Sequence, residues 1–114
     1  MKPLQAVEAL ATISDTNPHA GGWRPVAEKS SFAVTLKWAA GTPTGGTLKL
    51  QSTEVTPPGA NDGADLLGTV AIPATLGGEV SLSLGSCPFA HVRAVVTLTG
   101  GAMTTPNLHY TSKS

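Results

Sequence analysis

The chain has 114 residues, 40% of them apolar and only 12% charged, with seven Lys and Arg balancing seven Asp and Glu. That length suits one domain burying roughly two thirds of its unfolded surface, and the charged content is about half the ~25% usual in globular domains. The balance excludes the polyanion attraction of a basic nucleic-acid binder, no apolar run approaches the ~18 residues of a membrane span, and a lone cysteine, Cys87, excludes an intrachain disulfide framework.

The first element, Pro3 to Ile13, carries two patterns at once. Leu4, Val7, Leu10 and Ala11 form a helical stripe, while Val7, Ala9, Ala11 and Ile13 alternate. The β character of everything downstream favours a strand, since a lone short helix is marginal without a face to pack on. Glu8 falls inside what would have to be an uninterrupted apolar core, so the segment does not read as a signal peptide. Ser14 to Gly22 holds Asp15, Asn17, Pro18 and Gly21-Gly22 and reads as a loop. Trp23 and Arg24 follow on its shoulder, where Trp23 either caps one end of the core or anchors a partner chain, aromatic residues and Arg being enriched at interface centres. Val26 to Glu28 is expected to add a short edge strand, with Pro25 tolerated because an edge N–H need not be paired.

From there the alternation is clear. Phe32, Val34, Leu36 and Trp38 are expected inward, and after the turn Ala40 to Gly46 a second strand, Thr47 to Thr53, turns Leu48 and Leu50 inward, so that the two pair as a hairpin. Glu54 to Asp65, with Pro57-Pro58-Gly59 and Asn61-Asp62-Gly63, reads as a long exposed loop. Leu66 to Ile72 (Val70 and Ile72 inward) and Glu79 to Leu84 (Val80, Leu82 and Leu84 inward) follow. The spine of the pattern is Pro88 to Gly101. There Ala90, Val92, Ala94, Val96 and Leu98 face one side and His91, Arg93, Val95, Thr97 and Thr99 the other. Gly100-Gly101 is expected to turn into a hairpin partner, Thr104 to Thr111, with Leu108 and Tyr110 inward and Pro106 marking an edge or a bulge. Seven or eight strands at this spacing predict an all-β, single-domain antiparallel β-sandwich of jelly-roll-like type. Its body spans 31–114, and 1–30 forms an N-terminal segment and loop suited to an attachment arm.

Side chains able to do chemistry are scattered. Glu54, Asn61, Asp62 and Asp65 offer oxygen donors, but not at the spacing of a twelve-residue calcium loop, so Asx-type turns are expected. His91 and His109 are expected outward and near one another across the final hairpin, where two imidazoles without a third ligand make only a weak metal site and read as two surface histidines. No Ser lies in Gly-x-Ser-x-Gly, and Cys87, at a strand entrance before Pro88, reads as a buried structural thiol. No catalytic set, metal or cofactor is therefore expected. The candidate partner contacts are Trp23, Arg24, His91 and Arg93; Arg93 either covers apolar surface with its stem and pairs locally, or reaches a second subunit.

Three runs carry a resemblance. Trp-Ala-Ala-Gly-Thr-Pro-Thr-Gly-Gly-Thr-Leu-Lys-Leu-Gln-Ser from Trp38, Leu-Leu-Gly-Thr-Val-Ala-Ile from Leu66 and Phe-Ala-His-Val-Arg-Ala-Val-Val-Thr-Leu-Thr-Gly-Gly from Phe89 stand in this order. Together they resemble small β-sandwich structural proteins of tailed bacteriophage virions, from Phe32 to the C-terminus. Discoidin-like carbohydrate-binding sandwiches share a Val-Arg strand near their ends, and the first thirty residues have no counterpart in the phage pattern. The resemblance implies a non-enzymatic virion component: a capsid decoration or cement protein, or a head, tail-fibre or other accessory. It would contact the major capsid protein or another virion protein and assemble as a symmetric homo-oligomer, with a trimer fitting a three-fold capsid position.

Overall fold

The computed structural model describes residues 4–26, 30–55, 57–59, 63–84 and 90–113. In chain order the strands are β1 (Leu4–Ala9), β2 (His19–Ala20), β3 (Arg24–Pro25), β4 (Ser31–Trp38), β5 (Pro43–Thr53), β6 (Ala64–Ala71), β7 (Gly78–Leu84), β8 (His91–Gly101) and β9 (Asn107–Lys113). They form two antiparallel sheets, β1-β9-β4-β7 and β2-β8-β5-β6, with β3 also paired to β8. If β2 and β3 are taken as one interrupted strand, eight strand positions alternate between the sheets, except for the β5–β6 hairpin. This is the double Greek key of a jelly roll.

The alternation identified the inward faces well. Phe32, Val34, Leu36, Trp38, Leu48, Leu50, Ile72, Val92, Ala94, Val96, Leu98, Leu108 and Tyr110 are all buried between the sheets, and Val70, Val80, Leu82 and Leu84 pack against them partly exposed. Burial on this scale is the main favourable contribution to folding. β8 is an interior strand, flanked by β5 on one side and by β2 and β3 on the other.

Strand partners differ from those expected in two places. β4 and β5 lie in different sheets, so Ala40 to Gly46 is an arch across the sandwich and not a hairpin turn. β9 likewise does not pair with β8. It lies between β1 and β4, in the interior of the other sheet. Pro106 therefore marks neither an edge nor a bulge; it sits just before β9 begins and accepts a hydrogen bond from Leu10 N at 2.8 Å. The two arches are stitched together at one end of the sandwich by the Ala40–Thr104 bridge, with Thr104 N donating to Ala40 O at 3.0 Å. Gly41, at φ +88°, allows this approach, since a Cβ there would lie 2.6 Å from Ala102 O.

The N-terminal third also has its own pattern. β1 is a strand, but its phase is the reverse of the alternating one: Glu8 turns inward and Val7 is 61% exposed. The chain leaves this ladder after Ala9, and Ile13 is then buried by a bridge to Met103, a pair the sequence did not mark as core. The stretch read as a loop contains β2. The short edge strand is β3, just before the expected Val26 to Glu28, and buried Val26 continues it through a 3.0 Å bond to Ala90 O. Residues 27–29, the turn at Asn61-Asp62, and Cys87 with Pro88 and Phe89 lie outside the described residues.

Candidate functional site

The residues singled out for partner contact divide between two places. Trp23 and Arg24 are neighbours in the chain but point to opposite sides of the five-stranded sheet. On the outer side, the Arg93 guanidinium carbon lies 4.4 Å from the Trp23 ring centroid, and Arg93 Nε donates to Gln51 Oε1 at 2.9 Å. Gln51 Nε2 donates in turn to Asp65 Oδ1 at 2.9 Å, and Lys49 Nζ donates to Asp65 Oδ2 at 3.0 Å. The row follows from register: Arg93 in β8 is directly opposite Gln51 in β5, and Gln51 is opposite Asp65 in β6. Side chains so placed share a face within contact distance. Between Lys49↔Thr69 and Gln51↔Asp65 the register shifts, which brings Asp65 within reach of both Gln51 and Lys49.

Trp23 also ties down the loop read as long and exposed. Its indole N–H donates to Gly59 O at 2.9 Å. Gly63, at φ +143°, packs close to the ring, and a Cβ there would lie 3.0 Å from the indole edge. One ring face and the N–H are thus already engaged. Trp23 lies part-exposed on the outer side of the five-stranded sheet, with Arg93 and Gly59 as its partners. Val95, expected on the open outer face, is buried, between Ala20 and Lys49 in register.

Arg24 points the other way, into the corner where β1 of one sheet meets β3 of the other. Its guanidinium carbon lies 4.3 Å from the Tyr110 ring centroid, and Nη2 is 3.5 Å from Glu8 Oε1. Glu8 also accepts from Tyr110 Oη at 2.6 Å and from Gly22 N at 3.1 and 2.9 Å. The Gly21-Gly22 pair makes this possible, since a Cβ on Gly21 would sit 2.7 Å from Tyr110 Oη and 2.9 Å from Glu8 Oε1. Burial pushes the Tyr110 hydroxyl well above its usual range, and the Glu8 carboxylate it donates to pushes it further. A hydrogen bond to a charged group contributes ~1.5–3 kcal/mol. Tyr110→Phe, which keeps the ring under Arg24, is therefore expected to lower the unfolding free energy by about that amount in urea titrations.

The histidines do not form a pair. His91 is half-buried on the outer face of the five-stranded sheet, opposite Thr53 and Pro25, and its Nδ1 is buried without a hydrogen-bond partner among the described residues. His109 is on β9, in the other sheet, paired with Thr35 and Val7. The expected approach across a final hairpin fails because that hairpin does not exist. His19 Nε2 lies 2.7 Å from Asp15 Oδ1, and this contact, with the Asn17 N–H, holds the Asp15 carboxyl below its usual 3.8. Among the described residues no three His, Cys, Asp or Glu side chains converge on one point.

A shallow pocket of about 500 Å³ opens on the outer side of the four-stranded sheet, where Lys37, Glu79, Asn107 and His109 surround the margin of Trp38. Lys37 Nζ and Glu79 Oε2 are 3.7 Å apart and both well exposed, a pair that contributes ~0–1 kcal/mol. The chemistry available on either face is hydrogen bonding, ion pairing and stacking, which suits holding a surface.

No protein-family model and no curated protein matches the chain. Five chains of solved structures do match. The chain is similar in fold to the SPBc2 prophage-derived protein YomS. The superposition covers 99% of this chain and 96% of that one, with a TM-score of 0.54 and 12% identity. At that identity the likeness to YomS is one of fold, and it extends over both sheets.

The outer row of the five-stranded sheet offers a test by acidification. The Gln51 amide, and then Lys49, hold the Asp65 carboxyl below its ordinary 3.8. The group's stabilising effect is therefore present above 3.8 and is lost as pH falls through the lowered folded value. An NMR titration of the Asp65 carboxyl carbon is expected to give a midpoint below 3.8, moving up in Gln51→Ala. A midpoint at or above 3.8 in the wild type would remove Asp65 from the row.

Proposed function

We propose that this chain is a non-enzymatic structural component of a tailed-phage virion. In this reading it is a capsid decoration protein that binds the major capsid protein and stabilises the head as a symmetric homo-oligomer. The observation that carries the reading is the whole-length fold likeness to a prophage-derived protein. It joins the resemblance of the Trp38, Leu66 and Phe89 runs to phage sandwich proteins. The low charge and the side chains already engaged in local bonds on the five-stranded face fit a rigid body laid against another protein, a role in which preorganised surface groups limit the ordering cost of binding.

The test uses heads of the encoding phage, expanded and purified from a strain with this gene deleted. Added protein is expected to co-sediment with the heads, to saturate at a fixed stoichiometry per capsomer, and to raise the temperature at which the heads release DNA. Failure to co-sediment, with unaltered heat resistance, refutes the decoration role. Co-sedimentation with tails instead moves the protein to the tail.

A further inference from the structure

The two sheets have four lateral edges, and an edge strand is an open template for another chain unless something blunts it. Three edges are blunted. β1 turns the Glu8 carboxylate inward, where a continued sheet would have to pack over it. β2 and β3 are two residues each, separated by Gly21, Gly22 and Trp23 and ended by Pro25. β6 is thrown out of register with β5 between Lys49 and Gln51, which twists that edge away.

β7 has none of these devices. Its seven residues contain no proline and no inward charge, and it runs in unbroken register with β4 from Phe32↔Leu84 to Trp38↔Gly78. Among the described residues β4 is its only ladder partner. Its inward side chains Val80, Leu82 and Leu84 are incompletely covered, and Leu76, 75% exposed, stands two residues before it. An edge that no described residue pairs with, beside incompletely covered apolar groups, indicates an occupant.

We infer that the occupant is a second copy of this chain, with two β7 strands pairing antiparallel about a two-fold axis at Ser81. The sequence of β7 is complementary to itself in this register. Val80 faces Leu82, Ser81 faces Ser81, and Glu79 faces Ser83 and not a second carboxylate. An axis at Ser81 pairs all seven residues; moving it to a neighbouring residue shortens the ladder, and moving it half a step sets apolar against polar side chains. The two four-stranded sheets become one continuous sheet, and Val80 and Leu82 of each copy cover their counterparts. This deepens the homo-oligomer part of the proposed function and sets the symmetry as two-fold, whereas a three-fold capsid position suggested a trimer. It does not depend on the capsid part of that proposal.

Sedimentation equilibrium of the wild-type chain over rising concentration is expected to approach twice the chain mass of 11.5 kDa. Ser81→Lys sets like charges directly opposite each other at the axis and is expected to weaken the dimer several-fold, while Thr69→Lys on the β6 edge leaves it unchanged. In a Cys87→Ser background, Ser81→Cys is expected to form an intermolecular disulfide under mild oxidation. Directly opposed residues in an antiparallel pair fall within the ~4.4–6.8 Å Cα separation that a disulfide needs. Thr69→Cys in the same background is expected to remain monomeric on a non-reducing gel. A monomer at every concentration, a trimer, or equal cross-linking from positions 81 and 69 overturns the inference. Head binding by a chain that stays monomeric would overturn this interface and leave the decoration role standing.

Discussion

Replacing Trp38 with Ala is expected to remove ~3–5 kcal/mol of stability, as large aromatic truncations in cores do, while Trp23→Ala costs ~1–2 kcal/mol from one stacked cation and one exposed hydrogen bond. The two tryptophans differ in their surroundings. Trp38 ends β4 at 3% exposure, with its ring against Gly78, where an added Cβ would lie 3.0 Å from it, and its N–H on Thr75 O at 3.2 Å. Truncation leaves a cavity between β4 and the start of β7 and removes the hydrogen bond to Thr75 O. Trp23 lies outside the five-stranded sheet, and the core closes without it. Urea unfolding of both variants, compared by midpoint at constant m-value, separates the two. Since whole domains are stable by only ~5–15 kcal/mol, Trp38→Ala is expected to remove a large fraction of the total. Equal losses for the two would mean that the outer row of Trp23, Arg93, Gln51 and Asp65 carries as much stability as the core.

The period-2 pattern reported which side chains face inward, because a sandwich strand has one wet and one dry side whatever its neighbours are. It says nothing about which strand lies alongside. The Gly-rich turn after Trp38 and the Gly-Gly after Thr99 suit a hairpin and an arch equally, and only burial of Met103 against Ile13 and the Ala40–Thr104 bridge decide for the arch. The outer row was out of reach for the same reason. Gln51 and Asp65 are unremarkable polar residues until β5 is placed between β8 and β6. Glu8 does leave a signal: it is the one charge in an apolar segment, an argument against a signal peptide in the sequence and, in the fold, a partly buried hydrogen-bond acceptor for Tyr110. Arg24 and Arg93 looked equivalent as candidate contacts, because a residue on a loop shoulder carries no alternation to say which side of the sheet it will take.

Gly46→Ala is expected to be among the most damaging single-methyl additions available to this chain, costing ~2–5 kcal/mol from backbone strain and forced displacement together. Gly46 sits at φ +153° where β5 shifts register against β8, and a Cβ there would lie 2.3 Å from Thr97 O and 2.9 Å from Leu98 Cα, both parts of the backbone of the interior strand. Nothing there can rotate aside. Gly100 supplies the control: its Cβ would meet only Thr44 Oγ1 at 2.7 Å, a side-chain oxygen that a change of rotamer removes, and its φ is not in the left-handed region. Gly100→Ala is accordingly expected to cost less than ~1 kcal/mol. At ~4–8 °C per kcal/mol for a domain of about this size, thermal melts should place the two variants at least ~4 °C apart. The same irregularity that needs Gly46 sets the phase of everything after it in β5. If the strand escaped the clash by slipping one residue, Leu48 and Leu50 would turn to solvent and Lys49 and Gln51 into the core. Strain at Gly46 therefore has no cheap relief, and Gly46→Ala should also disperse the Arg93–Gln51–Asp65 row, which the upward movement of the Asp65 titration would report.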